Sequence, residues 1–199
     1  MSFWSDYSLG SDNKGFEPKR KFTFFLSFAG PNVSIENYLI KKVKKPGFEI
    51  SESEHKFLNH TFYYPGKVKW KEVTFTVVDV ISPNTTHNFM KLLEECGYRA
   101  PKGPAAPDLI EPAGGSNAQT ISKNRSVASV GKPRITQVDS LGITIEEWVL
   151  EGAWIKDVEF GELDYDGEEL MSIDVTLRYD WAYLEVTQPV VGFVPSNAF

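Results

Sequence analysis

From Ile173 to Trp181 the chain alternates without a break. Ile173, Val175, Leu177, Tyr179 and Trp181 take one side, and Asp174, Thr176, Arg178 and Asp180 take the other. A side-chain period of two belongs to a strand; a helix would scatter these apolar residues around its circumference. Leu170 to Trp181 is therefore expected to be a strand with one face in a core and the other wet or in an interface. This constrains the whole chain, because such a strand needs paired neighbours and a second layer to cover its apolar face.

Other segments supply those neighbours. Lys21 to Phe28, Tyr38 to Lys45, Phe48 to His55, Lys56 to Tyr64 and Val73 to Ile81 are rich in β-branched and aromatic residues. They are separated by Gly30-Pro31-Asn32, Pro46-Gly47 and Pro65-Gly66, which read as turns. Lys56 to Tyr64 is either the continuation of the segment before it or its partner. Arg134 to Val138, Ile143 to Ala153 and Trp154 to Leu163 resume the β pattern, with Asp164-Tyr165-Asp166-Gly167 as a hairpin-type turn. One helix interrupts them. Ser82-Pro83-Asn84 offers capping chemistry, Phe89, Leu92, Leu93 and Cys96 form a helical stripe, and Gly97 stops it. The expected fold is mostly antiparallel β: two packed sheets forming a small sandwich or barrel, with one flanking helix.

Residues 1–20, with Gly10, Gly15 and Pro18, read as an N-terminal arm, and 186–199 as a C-terminal arm. The β domain spans 21–185. Within it, 99–132 is rich in Pro, Gly, Ser and Asn and reads as a long loop insertion.

Charge and composition narrow the function. The net charge of -6 argues against a protein that grips nucleic acid by its phosphates. No apolar run approaches the roughly 20 residues that span a bilayer, so no membrane anchor is expected. The opening residues do not read as a secretory signal. Cys96 is the only cysteine, which rules out an internal disulfide and a thiolate zinc site and fits a reducing cytoplasm.

Catalytic chemistry finds no foothold. Phosphate-loop, dinucleotide, zincin and nucleophile-elbow patterns are missing from the sequence. His55 and His60 would lie on opposite faces of a regular strand, meeting only if the chain bends at Asn59, so no metal is expected. Cys96 lies on the helix's apolar stripe and reads as structural. No cofactor is expected. The run Asp157 to Glu169 carries a fragment of a calcium-loop pattern without its remaining ligands, and reads best as an Asp-Gly hairpin flanked by solvated acids. Lys41-Lys42-Val43-Lys44-Lys45 could touch nucleic acid, protect a strand edge, or meet the acidic run of a neighbouring copy. Two other classes stay open: a carbohydrate-binding β-sandwich stacking sugars on Trp4, Trp70 or Trp148, and a hydrolase using carboxylates near 157–169.

Three stretches in order resemble the tail tube proteins of contractile-tailed bacteriophages. The first is Lys19-Arg20-Lys21-Phe22 followed by a strand ending at Lys45-Pro46-Gly47. The second is Phe62-Tyr63-Tyr64-Pro65-Gly66 and then Trp70 to Val77, with a helix after it. The third runs from Trp148-Val149-Leu150-Glu151-Gly152-Ala153-Trp154-Ile155 through Gly161 to Tyr165 and closes on Ile173 to Trp181. The resemblance covers about residues 19 to 185, and the type VI secretion tube protein is similar in fold.

The resemblance implies a structural virion protein and no enzyme. Six copies would form a ring whose sheets join around a channel, and rings would stack into a tube inside a contractile sheath. The implied partners are further copies of itself, the tail sheath protein, a baseplate tube initiator, a tape measure protein in the lumen, and double-stranded DNA passing without specific binding. The implied location is the phage tail, assembled in the host cytoplasm. A baseplate tube initiator of the same fold is the close alternative. Lys41, Lys42, Lys44 and Lys45, with Glu49, Glu52 and Glu54, are expected at a subunit or ring contact. Asp157, Glu159, Glu162, Asp164 and Asp174 are expected to face the lumen or an interface. Residues 1–20 and a loop after Pro65 could order on the next ring.

Overall fold

The computed structural model describes residues 19–30, 35–98 and 120–185. Most of the expected N-terminal arm, most of the 99–132 insertion and the expected C-terminal arm lie outside these residues. Among these residues ten strands and two α-helices follow one another, with one 3-10 turn at Asn37–Leu39: β1 (Phe24–Ser27), β2 (Ile40–Val43), β3 (Phe48–Phe57), β4 (His60–Trp70), β5 (Val73–Val78), α1 (Thr85–Glu95), α2 (Lys123–Val130), β6 (Arg134–Val138), β7 (Thr144–Glu151), β8 (Trp154–Glu159), β9 (Ser172–Arg178) and β10 (Trp181–Glu185).

Eight strands make two four-stranded sheets. Sheet A has the order β1-β6-β7-β10, and sheet B the order β2-β5-β9-β8. Every pairing is antiparallel. The sheets share one core. Leu26, Ile135, Leu150 and Ala182 from sheet A meet Val73, Phe75, Val77, Ile173, Val175 and Leu177 from sheet B. The alternation that opened the sequence analysis is the cause, since the inward residues of β5 and β9 are buried and those between them are not. The expected mostly β sandwich is what forms.

Three details differ from the expectation. The chain switches sheets after Arg178, so Trp181 belongs to β10 of sheet A and lies half-exposed. A second helix, α2, sits inside the expected loop insertion. Its inner face is Ser126, Ser129 and Val130, too polar to read as an apolar stripe, and Ser122 caps it by accepting from Arg125 N–H at 3.3 Å. Both helices pack beside the sandwich, where Leu92, Cys96 and Val130 meet Phe28 and Ile155. Cys96 is buried there.

The third difference is the hairpin β3–β4. Pro65-Gly66 is no turn and no loop follows it; both residues lie inside β4, which continues to Trp70. The reversal is at Leu58-Asn59, where Leu58 takes φ 50°. A bulge in β4, where Gly66 and Lys67 stand opposite Ser51, is the reason. Ser51 Oγ accepts from Lys67 N–H at 2.8 Å, and a Cβ on residue 66 would lie 2.4 Å from that oxygen. Glycine is needed for close approach here, and proline is tolerated beside a bulge in a two-stranded ribbon.

Candidate assembly surfaces

Sheet B ends on two edge strands of opposite charge. β2 carries Lys41, Lys42 and, one residue past its end, Lys44, all exposed. Val43 points to the core, so alternation turns Lys42 and Lys44 outward, while Lys41 sits at a register irregularity between Ile40 and Lys42. At the other edge β8 carries exposed Asp157 and Glu159, while Val158 turns inward. The helices pack on Ile155 at the start of β8 and leave the Asp157–Glu159 stretch open.

The outer face of sheet B is polar and low. Register aligns Lys42, Thr76, Asp174 and Glu159 in one row across four strands. Thr74, Thr176 and Asp157 form the next. Thr76 Oγ1 donates to Asp174 at 2.5 Å. Of the acids singled out from the sequence, Asp157, Glu159 and Asp174 therefore share one face. Glu162 and Asp164 lie beyond it, on the β8–β9 connection.

The basic and acidic groups expected at one contact are divided. Lys41, Lys42 and Lys44 stay on the β2 edge. Glu49, Glu52 and Glu54 ride on the hairpin, opposite Lys69, Pro65 and Tyr63. Lys45, though exposed along its length, donates its amine to buried Glu146, and Lys19 donates to the other oxygen of the same carboxylate. Glu146 is 7% exposed, on the inner face of sheet A beside Gln137, which also takes a hydrogen bond from Lys45. Burial pushes the Glu146 carboxyl up, but the two lysines outweigh it and hold it below the usual carboxylate range. Strand parity with Trp148 and Leu150 was the signal for an inward Glu146.

The hairpin leaves the sandwich and covers nothing. Every residue from Phe48 to Lys69 is exposed. At about 3.3 Å per residue it is about 33 Å long. Past the bulge, register gathers Phe57, Phe62 and Tyr64 on one face with His55 and His60, and sets Glu52, Glu54 and Lys56 with Tyr63 on the other. The turn thus brings His55 and His60 to the same face, not to opposite faces. Among the described residues no group of three or more His, Cys, Asp or Glu side chains could hold a metal ion.

Trp70 and Trp148 are not exposed platforms. Trp70 packs between Phe48 and Tyr179, with ring centroids 5.8 and 6.0 Å away, and Trp148 packs against the core. Trp4 lies outside the described residues.

Beside Trp70, where the hairpin leaves the sandwich, a cleft of about 570 Å³ opens between the base of β4, the start of α2 and the ends of β8 and β9. Val68, Trp70, Ile121, Trp154 and Tyr179 give it apolar walls; Lys69, Lys123, Arg178 and Asp180 are its charged lining. Lys123 is tied to Asp180 at 2.6 Å. Arg178 lies 3.5 Å from Glu72, whose carboxyl is held low chiefly by the hydrogen bond from Lys156. Tyr179 is 4% exposed, burial pushes its phenol up, and its hydroxyl finds no acceptor among the described residues.

The arrangement of this chain has counterparts among known structures. A chain of the anti-feeding prophage cap, which terminates that particle's tube, superposes at TM-score 0.55 with 13% identity, over 88% of this chain and 96% of that one. The chain has the tail-tube fold. A chain of the anti-feeding prophage baseplate gives TM-score 0.54 at 12% identity, over 86% of this chain and 97% of that one. A chain from the sheath/tube terminator of the PVC extracellular contractile injection system, in its extended state, gives 0.53 at 13%, over 86% and 99%. At these identities the likeness is one of fold. No family model matches the sequence, and no curated protein matches it.

Proposed function

We propose that the chain is a structural subunit of the tube of a contractile injection particle, forming hexameric rings that stack around a channel. The observation that carries this reading is the pair of unpaired, oppositely charged edges on sheet B. Four strands alternating in direction leave β2 and β8 antiparallel. Copies related by rotation therefore pair β2 of one with β8 of the next and continue the same antiparallel ladder. Lysines meet carboxylates at that seam, and a ring leaves no edge open to aggregation. Six such sheets, at about 4.8 Å per strand, make a wall about 115 Å around and about 37 Å across.

The polar face of sheet B then lines the channel. Thr74, Thr76 and Thr176 keep it low, and Asp157, Glu159 and Asp174 let a polyanion slide past without gripping it. The hairpin fits the same reading. A two-stranded ribbon with exposed Phe57, Phe62 and Tyr64 is marginal alone and becomes stable when a neighbouring copy covers it. The fold neighbours come from a tube-terminating cap, a baseplate and a sheath/tube terminator. Passing DNA, a tape measure protein, the sheath and a host-cytoplasmic assembly site belong to the finer part of the proposal. Sedimentation velocity tests it: the wild-type chain populates a hexamer or larger stacks, and Lys42→Glu shifts it to monomer. A wild-type chain that stays monomeric at every concentration, alone and with tube ends from a related particle, contradicts it.

A further inference from the structure

The connection between β8 and β9 is an exposed acidic loop without an ion-pair partner among the described residues. Between Gly161 and Met171 it carries Glu162, Asp164, Asp166, Glu168 and Glu169 and no cation. The ion pairs among the described residues all lie elsewhere. Its large side chains stand out into solvent: Tyr165 is 108% exposed and Leu163 84%. Asp164 Oδ1 accepts from Asp166 N–H at 3.1 Å, which shapes the turn and presents Tyr165 at its tip.

The cleft beside Trp70 has the complementary chemistry. It joins apolar and aromatic walls to Lys69, Lys123 and Arg178, with Asp180 the one carboxylate in its lining. Lys69 is exposed and makes no ion pair among the described residues. Loop and cleft lie at opposite ends of the same two strands. Trp154 pairs with Arg178 at the cleft end, and Glu159 with Asp174 at the loop end. That is roughly 17 Å of strand, and Tyr165 stands in solvent, clear of its own copy's cleft.

We propose that the acidic β8–β9 loop of one copy seats Tyr165 in the basic aromatic cleft of another copy in the adjacent ring. Knob and socket at opposite ends make a heterologous contact, which repeats along an axis without closing. The ring rests on the β2 and β8 edges; this contact stacks one ring on the next. The inference rests on the ring reading above and goes beyond it by naming the two surfaces that meet. Tyr165 buries an aromatic ring against Trp70 and Trp154, and the loop carboxylates meet Lys69.

Two measurements on the full chain test it. A synthetic peptide spanning residues 160–171 should perturb the tryptophan fluorescence of the protein saturably. A peptide with its five acids replaced by amides, or a Lys69→Glu protein, should bind about tenfold more weakly. In electron microscopy, Lys69→Glu and the double change Asp164→Lys with Asp166→Lys should each give single rings in place of stacks. Mixing the two variants should restore stacking. All these positions are exposed, so folding should be unchanged by circular dichroism. Equal peptide binding by wild-type and Lys69→Glu protein, or stacks of wild-type length in the variants, overturns the loop-in-cleft contact and leaves the rings standing. Absence of rings in the wild type strikes the ring reading instead, and the peptide measurement still decides the loop and cleft.

Discussion

Lys42 and Glu159 end the same cross-strand row of sheet B on opposite edges, with Thr76 and Asp174 between them. In the proposed ring each copy presents a cation where the next, after rotation, presents a carboxylate. Pairing of this kind is screened by salt and abolished by reversing one sign.

Lys42→Glu, or Glu159→Lys, should leave the monomer's thermal unfolding within about 0.5 kcal/mol of wild type, since both side chains are exposed. Each should abolish rings, and a one-to-one mixture should recover the seam between unlike copies. Raising ionic strength from about 0.1 M to about 1 M should weaken wild-type rings, because the screening length falls from about 10 Å to about 3 Å. Size-exclusion chromatography reads all three.

The core and the hairpin should separate stability from assembly. Phe75 is 2% exposed at the centre of the sandwich, and Phe75→Ala should cost about 3–5 kcal/mol. Phe62 is 49% exposed on the hairpin, and Phe62→Ser should hardly move the Tm of the monomer while preventing assembly. If both substitutions unfold the protein alike, the hairpin is part of the core and not a docking element.

Glu146 makes the monomer sensitive to acid. Its carboxyl is held below the ordinary value of 4.5, so the stability it contributes is fully present above that pH and is lost as pH falls through the lower folded value. Glu146→Gln should lower stability by about 2 kcal/mol at neutral pH and flatten the loss of stability below about pH 4.5. Urea titrations of both proteins across that window measure the difference.

Two backbones meet where the end of α2 crosses the residues after β1. Gly131 has φ 71°, and a Cβ there would lie 2.3 Å from the amide nitrogen of Gly30. Gly131→Ala should destabilise the chain by about 2 kcal/mol or more, measured by thermal unfolding.

Much of this architecture was legible in the sequence. Alternation in Ile173 to Leu177 announced a strand, and Asn84 with Phe89, Leu92 and Cys96 announced α1; Asn84 does accept from His87 N–H at 2.7 Å. What escaped was set by contacts distant in the chain. Pro65-Gly66 looks like a turn until Ser51 is placed opposite it. α2 buries serines, so its face carries no apolar signature. Lys45 reads as one more surface lysine in a basic run, yet its amine pairs with a buried carboxylate 101 positions away. The acids from Asp157 to Asp174 looked like one cluster, but the bend after Glu159 leaves three on a sheet face and sends the others to a loop.

Negative-stain electron microscopy of the purified full chain tests the central claim most directly. The account predicts six-fold rings about 37 Å across at the inner wall, single or stacked, with an open centre. A field of isolated monomers at high concentration, unchanged by adding tube ends from a related particle, would contradict it.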